Sequence, residues 1–166
     1  MRLFGIADWT LGRIVWILVL AVGACAGSKV LRTEWSSRPT EISFSSIAVG
    51  ATSGISIRRE ALIRDSGDWA ALWAEHIRGI SGPLPIPQVD FSQEVVIAIF
   101  LGTRATGGFS VTIRRVERER DCLTVYFREV RPAKGAPVSQ VLTQPFHIVL
   151  MKTRDVAPGR VVFVQE

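Results

Sequence analysis

The segment Val95–Leu101 reads VVIAIFL, seven apolar residues without a polar interruption. Turn and breaker residues bound it: Pro83, Pro85 and Pro87 upstream and Gly102, Gly107 and Gly108 downstream. A strand with one wet face alternates apolar and polar residues, whereas a strand covered on both faces needs no alternation. The run therefore predicts an inner strand, and the remaining elements must supply cover for both of its sides.

Several neighbouring segments alternate. Phe109, Val111 and Ile113 alternate with Ser110, Thr112 and Arg114, and Leu123, Val125 and Phe127 with Thr124, Tyr126 and Arg128. Both patterns predict half-buried strands. The charged stretch between them holds four arginines and three carboxylates in Arg114–Asp121, and reads as a solvated hairpin end. Ile42 to Val49 predicts a first strand and Ile55 to Arg64 a second. Phe146, Ile148 and Leu150 predict another, with His147 on its outer face. Val161 to Val164 predict the last, reached through a tight turn at Ala157-Pro158-Gly159-Arg160.

One segment has helical period. Trp69, Leu72, Trp73 and His76 fall on one stripe, behind the cap candidates Asp65, Ser66 and Asp68 and before Gly79. The spacing predicts an amphipathic helix over 67–78. Its tryptophans either clamp it to a sheet or form a ligand platform. The expected fold is mainly β: an antiparallel sandwich or bent sheet of about seven strands with this helix packed on it.

The N-terminus reads as an address. Ile14–Ala24 is an apolar run of eleven residues, against the roughly 20 a helix needs to span a bilayer. Arg2 and Arg13 precede it, as in a secretory signal. Val22-Gly23-Ala24-Cys25 resembles a bacterial lipobox, in which the cysteine is lipidated and becomes the first residue. An uncleaved anchor and a cleaved soluble form are the other readings. The expected organisation is a signal peptide at 1–24, a tether at 25–41 and a domain at 42–166. The expected location is extracytoplasmic, on the outer membrane or cell surface, because no aspartate follows Cys25.

Residues that could carry chemistry are few. The two histidines are His76 and His147, and lipidation of Cys25 leaves Cys122 as a small buried residue at a strand start. No zinc-ligand spacing, nucleophile elbow, phosphate loop or dinucleotide fingerprint is present. Asp90 and Glu94 flank Phe91 in an ordinary loop. The net charge of +5 comes almost wholly from arginine without a basic patch, which argues against nucleic acid. No enzyme, cofactor or metal is expected.

Two loops stand out: 102–109 and the proline-rich 131–145. In the first, Gly102, Thr103, Arg104, Thr106, Gly107, Gly108 and Phe109 are either a turn tolerant of positive φ or a contact surface for a partner. In the second, Arg131 and Pro132 are the candidates.

Taken in order, WAALWAEH, the loop ending in VDF, the apolar strand, LGTRATGGFSVTI and QVLTQPFHIVLM resemble the C-terminal domain of the PrcB family across about residues 55–165. That family is named for a subunit of a secreted bacterial protease complex. The resemblance implies a cell-envelope protein, often lipid-anchored, that associates with or stabilises an extracytoplasmic protein such as a protease. Ala105-Thr106-Gly107-Gly108-Phe109 also resembles, by analogy, the threonine–glycine loop of chagasin-like protease inhibitors. Arg131-Pro132-Ala133 matches their second loop only in part. A peptidase inhibitor acting through both loops is the alternative.

Overall fold

In the computed structural model, which describes residues 38–156 and 159–166, the apolar run becomes β4 (Glu94–Phe100). It has antiparallel neighbours on both sides, β3 (Arg59–Ile63) and β7 (Phe146–Lys152). With β2 (Phe44–Gly50) they make a sheet in the order β2-β7-β4-β3. The second sheet has the order β1-β5-β6-β8, from β1 (Thr40–Ile42), β5 (Ser110–Glu119), β6 (Cys122–Val130) and β8 (Arg160–Gln165). Pleating sends alternate side chains of β4 to opposite faces. Val95, Ile97 and Ile99 enter the core between the sheets, and Val96, Ala98 and Phe100 enter a second core beneath the helix. None of these six is more than 2% exposed.

That helix, α1 (Ser66–His76), covers the outer face of the β4 sheet. The Asp65 carboxylate accepts the Asp68 amide at 2.9 Å and caps its start. Trp69, Leu72, Trp73 and His76 are all buried, so the stripe clamps the helix. The proline-rich connection hangs from it: Trp69 Nε1 donates to the Pro87 carbonyl and Trp73 Nε1 to that of Leu84, at 3.0 and 3.2 Å. A segment poor in N–H groups serves here as a row of acceptors.

Among the described residues, eight strands and one α-helix confirm the β-sandwich, with four corrections. The segment 42–49 is not one strand. Ile42 pairs with Val116 in one sheet and Phe44 with Met151 in the other, so the chain changes sheets at Ser43. The segment 55–64 is strand only over Arg59–Ile63; Ile55 is buried but Ile57 is 78% exposed. Its first residues serve as a loop, where Gly54 N donates to His76 O and Ile55 N to Ser53 Oγ.

The last strand does not form a hairpin with β7. Both sides of β7 are occupied by β2 and β4. The chain therefore crosses to the other sheet, where β8 lies parallel to β6, with Cys122 opposite Arg160. Ala157 and Pro158 of the expected turn lie outside the described residues, as does the segment 1–37, which holds the expected signal, Cys25 and most of the expected tether.

His147 is not on an outer face. Its strand is covered on both sides, and the imidazole is buried between the sheets. The Ile113 amide can only donate, so Nδ1 accepts it at 2.9 Å and the ring hydrogen sits on Nε2, which donates to Ser46 Oγ.

The β5–β6 hairpin turns at Arg120-Asp121, as the charge cluster implied. A bulge between Ile113 and Arg115 shifts the inward phase, so Val111, Ile113 and Val116 all face the core.

Candidate functional site

The loops between β4 and β5 and between β6 and β7 emerge at the same end of the sandwich. They bond to each other along their length. Arg104 and Thr143 exchange backbone hydrogen bonds of 2.7 and 3.0 Å. The Gly107 amide donates to Ser139 O at 2.9 Å, and Thr143 Oγ1 to Thr106 O at 2.9 Å. The expected loops, read separately in the sequence, form one platform.

Glycine makes the approach feasible. Gly102 has φ +73° and lies against the preceding loop; a Cβ there would stand 2.8–2.9 Å from Ser56 O, Arg58 N and the Ile57 carbonyl carbon. Thr103 N donates to Ser56 O at 2.9 Å, which ties this third segment to the platform. Gly108, at φ +84°, has Pro132 and Val138 close beside it.

The platform rests on a charge cluster. Glu129, near the end of β6, has a side chain only 2% exposed. Its Oε1 lies 3.0 Å from Arg131 Nε and 3.4 Å from Arg104 Nη2, and Arg58 Nη1 is 3.7 Å from Oε2. Arg104 turns inward, donating from Nη1 to Leu101 O at 2.8 Å, with its guanidinium 5.7 Å from the Phe109 ring centre. Arg104 therefore braces the loop from within. Thr106 turns its hydroxyl on Gly107 O, and Thr103 is exposed. Arg131 is exposed and Pro132 half-buried.

Glu129, Arg58 and the exposed Val141 and Leu142 were missed as site residues. For Glu129 a signal existed: it continues the inward parity of Leu123, Val125 and Phe127, and pairs with Val111. Arg58 gave none, because only the fold brings its loop here.

The other reactive groups lie elsewhere. His76 packs edge-on against Phe146, ring centres 4.3 Å apart, and its Nδ1 is 2.9 Å from Ser53 Oγ. Burial pushes the pKa of both His76 and His147 below the ordinary value. Cys122 is half-buried rather than buried, at the far end of β6 from Glu129, 4.0 Å from Thr124 Oγ1. Asp90 accepts from the Ser92 hydroxyl and amide and from Gln93, which lowers its pKa, and Glu94 pairs with Lys152. Among the described residues no three His, Cys, Asp or Glu side chains stand close enough to hold a metal ion. An apolar pocket of about 340 Å³ opens at the end of α1, lined by Trp73, His76, Leu84 and Phe146. It is continuous with the helix core and offers few polar groups.

Residues 95–152 match the family model described as PrcB C-terminal. The match is narrower than the expected span of 55–165: α1 and the proline-rich connection precede it. It runs from the second residue of β4 to the last of β7, and so contains both loops and Glu129 whole. No curated protein and no solved structure matches the chain.

Proposed function

We propose, taking the PrcB C-terminal match as premise, that this chain is a non-catalytic, lipid-anchored cell-envelope protein. Its 102–109 and 131–145 loops dock on an extracytoplasmic protein, which the family resemblance makes a protease or a protein of a protease complex. The observation that carries this reading is the bonded pair of loops inside the matched segment. Backbone bonds fix their shape before any partner arrives, which reduces the ordering cost of association. Exposed Val141 and Leu142 offer apolar contact at the same place.

A photo-crosslinking residue at Leu142, in the full-length chain at native expression, should join it to one envelope protein. The same residue at Arg160, at the other end of the sandwich, should not. Equal labelling from both positions would refute the docking site. Anchoring through Cys25 is tested separately: Cys25→Ser should release the protein from the membrane fraction and remove the mass of the acyl chains.

A second reading is a peptidase inhibitor. It is supported by the contact between the loops, where Gly108 of the Thr106-Gly107-Gly108 turn lies against Pro132. Stoichiometric protein should then slow a papain-like or serine protease. Unchanged progress curves across a protease panel would end that reading.

A further inference from the structure

The platform is cationic. Loops 102–109 and 131–145 contain Arg104, Arg131 and Lys134 and no carboxylate. The acid beneath them, Glu129, gathers three guanidiniums around one buried carboxylate, and its Oε2 has no hydrogen-bond partner. The three arginines are not equivalent. Arg58 is also held by Glu60 and Gln165. Arg104 is committed inward to Leu101 O. Arg131 is 68% exposed and spends only its Nε, on Glu129 Oε1; among the described residues its Nη1 and Nη2 find no acceptor. Two parallel N–H groups on a planar fork match a carboxylate bidentately, and one end of this fork is already fixed. Exposed aliphatic side chains lie on the same loop and strand end: Val130 precedes it in sequence, and Val141 and Leu142 stand next to Thr143 of the Arg104–Thr143 bridge.

We infer that this surface recognises an acidic–aliphatic polypeptide segment of the partner. A carboxylate seats on the free edge of Arg131 while neighbouring aliphatic side chains cover Val141 and Leu142. Glu129 is the positioning residue that holds the guanidinium from behind. The inference rests on the interaction-module reading and specifies its partner's chemistry. Polypeptide is favoured over single-stranded nucleic acid because the flanking surface is aliphatic, and base stacking needs open aromatic faces. Phe109 is half-buried, near the Arg104 guanidinium.

The test uses the full-length chain and a fluorescein-labelled peptide of alternating Glu and Leu, with a twin in which Gln replaces Glu. Anisotropy should show the acidic peptide binding about tenfold tighter than its twin, the discrimination expected of a charge-assisted pair. Arg131→Gln should abolish that difference, and Arg131→Lys should keep part of it, since the charge survives and the fork does not. Arg160→Gln, at the far end, should leave it unchanged. Arg131 is exposed, so these variants fold, which circular dichroism verifies. Equal binding of the two peptides, or an unaltered ratio in Arg131→Gln, overturns the inference. So does tighter binding to a single-stranded oligonucleotide, or binding to phosphatidylglycerol vesicles that Arg131→Gln weakens. If Arg131→Gln leaves the Leu142 cross-link at full strength, the inference fails and the docking reading stands. If no cross-link forms at all, both fail.

Discussion

Gly102→Ala should damage this protein more than the same change at glycines of equal backbone conformation. Gly79, Gly102 and Gly135 all have positive φ, of +78°, +73° and +82°. Alanine in the left-handed region costs roughly 1–2 kcal/mol, offset by about 0.4–1 kcal/mol because the unfolded chain is stiffened. That leaves a loss of about 1 kcal/mol at any of the three. At Gly79 and Gly135 nothing lies within 4 Å of the added Cβ, so the cost ends there. At Gly102 the Cβ meets three backbone atoms of residues 56–58 at 2.8–2.9 Å, and backbone cannot rotate aside as a side chain does. The overpacking adds roughly 1–3 kcal/mol, for a total near 2–4 kcal/mol, a large share of the 5–15 kcal/mol typical of a domain. Urea unfolding followed by tryptophan fluorescence reads this directly, because Trp69 and Trp73 are buried at the helix–sheet contact. Gly102→Ala should lower the midpoint most, with the two controls close to each other and about 1 kcal/mol below the parent. A Gly102→Ala loss within about 0.5 kcal/mol of the controls would refute the close-approach argument.

Trp69→Ala should cost about 3–5 kcal/mol, since it empties the helix core and strands the Pro87 carbonyl; calorimetry measures it. Thr143→Val keeps the shape but deletes the hydroxyl bond to Thr106 O, costing about 1 kcal/mol. Hydrogen exchange at the Gly107 amide should quicken with it. Acid should weaken the fold through His76 and His147. Burial holds both folded pKa values below the unfolded 6.5, so the unfolded chain binds protons first. Stability is therefore full above 6.5 and falls as pH drops from 6.5 through the lowered folded values. His147→Gln should flatten that slope between neutral and mildly acid pH in urea titrations. An unchanged slope in both His147→Gln and His76→Gln would show that neither imidazole carries the effect.

The helix was legible because its signals are local. The Asp65 cap, the four-residue stripe and the Gly79 stop all lie within fifteen residues. The burial of β4 on both faces was legible for the same reason. The loops were visible as glycine- and proline-rich segments, but their union was not. The bonds from Arg104 to Thr143 and from Gly107 to Ser139 join residues more than thirty positions apart, and composition carries no trace of them. Arg104 was a candidate contact residue and is an internal brace, because the carboxylate that draws it inward sits on another strand.

By itself the sequence determined how many faces of each segment must be covered: both for Val95–Phe100, one for the β5–β6 hairpin, one stripe for α1. Periodicity reports that number because side-chain direction follows from backbone geometry alone. Only the tertiary structure decided what does the covering. Ser43 carries the chain between sheets, β8 runs parallel to β6 because β7 has no free edge, and His147 bonds across the core. Those outcomes depend on which hydrogen-bonding edges remain open once the other strands have paired. That is a property of the assembled chain and of no single segment.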